Sequence, residues 1–95
     1  IYGSISGFGQ TGPYRKKPAY DIVCQAMGGF MALTGEKDGK PYKVGPSVAD
    51  ALAGIHMAFA IMAAVHHREE TGEGQFIDVA MMDTAFSVLE NFVVT

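Results

Sequence analysis

Cysteine is nearly absent from this 95-residue chain, with Cys24 standing alone. A lone thiol excludes an internal disulfide framework and a cysteine-based zinc site. It favours a reducing compartment, read as cytoplasmic with an organellar location left open. Basic residues are also scarce: seven Lys and Arg stand against ten Asp and Glu, for a formal net charge of −3. Nucleic-acid-binding modules carry a basic face, so that class of partner is excluded. Charge as a whole is low at 18%, while 48% of residues are hydrophobic. That balance belongs to a folded, buried chain and not to a disordered tail. Long hydrophobic runs are limited to Ala51–Val65, interrupted by His56. At about 1.5 Å per residue the run reaches roughly 22 Å, short of the ~30 Å hydrocarbon core of a bilayer. Asp50 on one side and His66-His67-Arg68-Glu69-Glu70 on the other close it, so no membrane span is expected.

The length admits at most one small domain, and both ends read as truncated. Ile1-Tyr2 already lies inside a strand pattern, with no basic segment leading into an apolar one as a signal peptide requires. Phe92-Val93-Val94-Thr95 falls in mid-helix or just past a helix. Residues 1–6 predict a strand. The run from Gly7 to Pro18, dense in glycine and proline, predicts a loop. A helix is expected from Ala19 or Asp21 through Met27, ended by Gly28-Gly29, with a further helical turn over 30–34. Glu36–Gly39 reads as a polar turn and Pro41–Val44 as an extended segment. The longest helix is expected over 47–69, with Ser47 as N-cap and Asp50 completing an acidic capping box. After the break at Gly72-Glu73-Gly74, residues 75–80 predict a strand and 82–92 a closing helix. The order strand-helix-helix-strand-helix is that of an α/β fold with a mostly parallel sheet. The helix containing Ala51–Val65 is apolar nearly all round, which calls for burial on every side. A chain this short has little interior for it, so other parts of a larger chain or a partner subunit are expected to cover it.

Gly7-Phe8-Gly9-Gln10-Thr11-Gly12 spells the glycine string of dinucleotide-binding loops. Its context is wrong, because Pro13 and Pro18 follow where a helix should open and no acidic residue closes a second strand. The glycines instead serve a tight turn or close backbone approach, or a loop whose amides line an acyl or phosphate pocket. Arg15-Lys16-Lys17 is the one basic cluster, either a solvated loop or a contact for a phosphorylated ligand. His66 and His67 are neighbours and His56 is out of step with Asp50. None of these forms a metal-chelating pair on one helix face, and no metal site is expected. Asp50 opens the long apolar helix among the small residues Ala49, Ala51, Ala53 and Gly54. It is either a first-turn carboxylate stabilised by helix amides, or a nucleophile held ionised there beside a pocket.

Four strings, in order, resemble the family III CoA-transferases, whose superfamily includes formyl-CoA transferase, carnitine-CoA transferase and α-methylacyl-CoA racemase. They are Ser6–Tyr14, Tyr20–Gly29, Gly45–Gly54 and Arg68–Val79. The resemblance as a whole runs from about residue 4 to residue 85. The resemblance implies that residues 1–95 are a single internal segment of the Rossmann-like α/β large domain of an interlocked homodimer. It implies that Asp50 is the catalytic carboxylate, attacking an acyl-CoA and passing through a covalent aspartyl-CoA thioester to exchange CoA with a second carboxylic acid. Coenzyme A enters as a cosubstrate, with no permanently bound cofactor. By the same resemblance Tyr20, Asp21, Lys16, Lys17, Gly7 and Gly9 are candidate substrate- or CoA-binding positions. The family's racemases carry a histidine where this chain has Tyr20. A phenol that titrates near ~10 is a poor base at neutral pH, so the transferase branch is expected and α-proton exchange on an acyl-CoA is the alternative.

Overall fold

The computed structural model describes residues 1–90. β1 spans Tyr2–Ser6, α1 Asp21–Gly28, a short 3-10 turn Met31–Leu33, α2 Val48–Thr71, β2 Phe76–Ala80 and α3 Met81–Ser87. The expected α/β order is therefore present. β1 and β2 pair in parallel, in register from Tyr2 opposite Phe76 to Ser6 opposite Ala80. Parallel neighbours need a long crossover, and here α1 and α2 provide it. The sheet begins with an aromatic pair, the Tyr2 and Phe76 rings stacked at 5.3 Å.

Glycines set the helix ends. Gly29 follows α1 with φ 103° and Gly72 follows α2 with φ 77°, both in the left-handed region where a side chain is disfavoured. The Gly72 amide donates to the Arg68 carbonyl at 2.7 Å and closes the last turn. The expected polar turn is closed by the Gly39 amide on the Glu36 carbonyl at 3.0 Å. The stretch from Pro41 to Val44 forms no strand.

Two expectations need correction. The closing helix begins at Met81, a residue earlier than expected, and ends at Ser87 instead of Phe92. Val88 leaves helical geometry and Glu90 takes a positive φ of 58°, which no right-handed helix continues through. Residues 91–95, on which the expectation of a helix reaching Phe92 and beyond partly fell, lie outside the described residues. The long helix runs 24 residues, further than the apolar run alone, and at ~1.5 Å per residue reaches about 36 Å. By length and composition it is long and apolar enough to cross a membrane, so the short reach of Ala51–Val65 does not decide that question.

α2 crosses the centre of the fold. Ala49, Ala53 and Met57 face the core with Cys24, Val79, Met81 and Ala85. They follow one another at four-residue steps, one stripe of the helix. Ile55, Phe59 and Met62 form a second stripe and are 65, 79 and 68% exposed. Two alanines and Met57 thus face the described core, while the large apolar side chains Ile55, Phe59 and Met62 stand outside it.

Candidate functional site

The first turn of α2 sits directly over the start of α1. Ser47, expected to cap α2, makes no side-chain cap hydrogen bond. The cap comes instead from Asp21, whose Oδ1 accepts the Asp50 amide at 3.0 Å. The physical reason is placement: the Asp21 carboxylate arrives from α1 already buried, at 6% exposure, and takes the free first-turn donor that Ser47 would have served.

The second oxygen of Asp21 is occupied as well. Gln25 Nε2 donates to Asp21 Oδ2 at 2.6 Å, one helical turn along α1. Gln25 Oε1 accepts the Val44 amide at 2.9 Å, which ties the segment before α2 to the same cluster. Lys43 holds that segment too, its ammonium donating to the carbonyls of Val44 and Gly45 at 3.1 and 2.7 Å. Asp50 itself is exposed. The result is a carboxylate open to solvent on a main chain pinned by a buried one. Sequence reasoning singles out neither Gln25 nor Lys43; the Gln25–Val44 and Asp21–Asp50 pairs lie 19 and 29 residues apart in sequence and leave no local pattern, while Lys43 bonds only its next two neighbours.

Cys24 lies within the same cluster, fully buried and reduced. Burial pushes its thiol pKa up, and the Asp21 and Asp50 carboxylates push it further the same way. A buried thiol held protonated next to two carboxylates packs as a small apolar group and is no nucleophile.

The other candidates lie on the segment between β1 and α1. Tyr20 is 83% exposed, and its carbonyl accepts the Cys24 amide at 3.2 Å to start α1. Lys16 and Lys17 are exposed on the loop leading to it. The Lys17 ammonium lies 4.3 Å from the Tyr14 ring centroid, and Tyr14 meets Phe8 edge-on at 5.4 Å. Arg15 turns back to the Gly12 carbonyl at 3.1 Å. Gly7 and Gly9 are buried. A Cβ on Gly7 would lie 2.5 Å from the Ala19 Cβ, and the Gly7 carbonyl accepts the Met82 amide at 3.1 Å. Gly9 has φ 81°. After it the Gln10 amide donates to Asp78 at 2.8 Å. These two glycines serve close approach and a positive φ, not an open amide-lined surface. No helix starts before Asp21, so the dinucleotide reading has no helix N-terminus to use.

The structure thus brings Asp21 and Asp50 together, with Tyr20 exposed next to Asp21 in the chain, while Gly7 packs against Ala19 and Gly9 approaches Asp78 and Ala80. A hollow of about 690 Å³ lined by Phe59, His67, Phe76 and Asp78 among others lies along the outer side of α2 and does not include Asp50. Among the described residues no His, Cys, Asp and Glu converge as a metal site. His56 instead bonds the Leu52 carbonyl and His66 pairs with Glu70 at 3.3 Å.

Comparison with known proteins adds an independent line. A profile described as CoA-transferase family III matches residues 1–95. The chain is 53% identical over 91 residues to a succinate–glutarate CoA-transferase of Agrobacterium fabrum, covering 96% of this chain and 23% of that protein. It is 44% identical to a formyl-CoA:oxalate CoA-transferase of Streptomyces coelicolor, covering 93% of this chain and 21% of that protein. In fold it superposes on the crystal structure of a CAIB/BAIF family protein from Brucella suis with a TM-score of 0.96 and 47% identity, covering 99% of this chain and 25% of that one. The chain therefore spans about a quarter of the length of the relatives it matches.

Proposed function

The chain belongs to CoA-transferase family III, and from that premise we propose that it is a segment of the large domain of an enzyme exchanging coenzyme A between an acyl-CoA and a carboxylic acid, with Asp50 as nucleophile. The observation carrying this reading is the exposed Asp50 carboxylate on a first helical turn anchored by Asp21. Exposure gives an acyl-CoA access, and the anchored main chain gives the attacking oxygen a defined position.

The exchange then runs in four balanced steps. An Asp50 oxygen attacks the thioester carbonyl, CoA leaves as thiolate, and a mixed anhydride remains. The thiolate attacks the Asp50 carbonyl carbon of that anhydride and expels the first acid as its carboxylate, leaving an aspartyl-CoA thioester. The second acid's carboxylate attacks this thioester and again releases CoA thiolate. The thiolate attacks the newly bound acyl carbon, giving the new acyl-CoA and restoring the Asp50 carboxylate. No net proton is consumed. Division of the exchange through a covalent carboxyl intermediate is nucleophilic catalysis, and donors for the transient oxyanions come from elsewhere in the longer chain.

Coenzyme A is a substrate on this reading, with no resident cofactor. In this reading Tyr20, exposed next to Asp21 in the chain, serves as a hydrogen-bond donor to the substrate. Lys16 and Lys17, exposed on the loop before it, are the cations proposed to meet phosphate charge. Gly7 and Gly9 contribute by shaping that loop. The relatives are named for succinate, glutarate and oxalate among their acids, so short dicarboxylates are the substrates to try first. The apolar outer stripe of α2 packs against the rest of the longer chain or a second copy in a homodimer, and spans no membrane. A reducing, cytoplasmic setting accords with the lone reduced Cys24.

The test uses the full-length protein, incubated with succinyl-CoA and quenched with hydroxylamine. A hydroxamate on the peptide containing Asp50, absent from Asp50→Asn, is expected. Exchange of the α-proton of an acyl-CoA without CoA transfer would instead establish a racemase.

A further inference from the structure

We propose that Asp21 is a positioning residue for Asp50, acting through a hydrogen-bond chain of fixed direction from Val44 through Gln25 and Asp21 to the Asp50 amide. The inference rests on reading Asp50 as the nucleophile.

Both ends of the chain are backbone N–H groups, which only donate. The Val44 amide donates to Gln25 Oε1 at 2.9 Å, and this orients the Gln25 side chain so that its NH2 faces Asp21 Oδ2 at 2.6 Å. The Asp50 amide donates to Asp21 Oδ1 at 3.0 Å. Asp21 must therefore accept at both oxygens. An ionised carboxylate does so; an amide of the same length, with one oxygen, does not. Gln25 is fully buried and Asp21 nearly so, so a lost partner is not replaced by water and the geometry is sharply defined. Three elements meet in this chain: the start of α1, the segment ahead of α2 and the first turn of α2. Its terminal bond is to the backbone of the residue whose side chain reacts. A displacement of about 1 Å at a reacting group is enough to lower a rate ~10²-fold.

The fixed direction supplies a decisive experiment. In Asp21→Asn one of the two donors loses its acceptor whichever way the amide is turned. In the double variant Asp21→Asn/Gln25→Glu all three bonds can re-form. The amide oxygen introduced at position 21 accepts the Asp50 amide, and its NH2 donates to the carboxylate introduced at position 25. The other oxygen of that carboxylate accepts the Val44 amide. The negative charge has then moved one link along the chain, away from Asp50.

In the full-length protein, kcat and KM for succinyl-CoA with glutarate are measured together with hydrogen exchange at the Asp50 amide. Asp21→Asn is expected to lower kcat about 10- to 100-fold with KM changed less than ~3-fold, and to speed exchange at that amide. The double variant is expected to recover both to within about fivefold of wild type. Should the single variant fail to fold, the double variant carries the test. Amide protection restored without kcat would overturn the positioning role and make the Asp21 charge itself the requirement. An unchanged kcat in Asp21→Asn, in an enzyme that Asp50→Asn silences, would overturn this inference alone. Transfer surviving in Asp50→Asn would overturn the nucleophile reading and this inference with it.

Discussion

At the scale of single residues, the two aspartates divide the work by environment. Asp50 is exposed and has its backbone held; Asp21 is buried and does the holding. Replacing the proposed nucleophile, Asp50→Asn, is expected to lower transfer at least about 10³-fold, as removal of covalent nucleophiles does, with little change in thermal stability; steady-state kinetics beside a melting curve check both. Cys24 gives a prediction of the opposite kind. Burial and the two carboxylates raise its pKa, so the folded chain keeps a proton that the unfolded chain releases above ~8.5. Its contribution to stability is therefore intact below that pH and declines as pH rises through the alkaline range. Urea unfolding from pH 7 to 10 should show a steeper alkaline decline in wild type than in Cys24→Ala. Gly7 is a purely steric case. Gly7→Ala forces a Cβ against Ala19 and is expected to cost about 1–3 kcal/mol, the range for overpacking, read from the denaturant midpoint.

At the scale of elements, α2 shows what was legible beforehand and what was not. Its existence followed from a long apolar segment, and its end from Gly72; both depend on neighbours in sequence. Its cap did not follow. Ser47 with Asp50 three residues on has the local pattern of a capping box, but the acceptor that takes the Asp50 amide sits 29 residues earlier. Tertiary placement of a buried carboxylate outcompeted a local hydroxyl, and no periodicity reports such a choice. The same reason hid Gln25, whose Val44 partner lies 19 residues on. Asp50 itself stood out from its small neighbours, and its proposed role came from resemblance, not from spacing. Ser47→Ala is accordingly expected to change stability by less than about 0.5 kcal/mol, where a working cap would cost about 1; denaturant unfolding decides. α3 was overextended in the sequence-based reading because its apolar residues run on while Val88 and Glu90 leave helical geometry.

At the scale of the whole molecule, the inverted burial on α2 is the dominant physical fact. Ala49, Ala53 and Met57 face the described core, and Ile55, Phe59 and Met62 stand exposed. An exposed stripe of this kind drives association, so residues 1–95 prepared alone are expected to be inactive and to self-associate, with Phe59→Ser shifting sedimentation toward the monomer. A monodisperse wild-type segment would contradict that. The full-length protein admits the most direct test of the central claim, that Asp50 carries the acyl exchange. In the proposed steps the acceptor acid leaves one carboxylate oxygen on Asp50, and the next donor acid takes it away. Turnover with 18O-labelled glutarate and succinyl-CoA should therefore place 18O in the Asp50 side chain, and then in the succinate released on the following turnover. Transfer that proceeds at full rate with no label reaching the Asp50 peptide would contradict it.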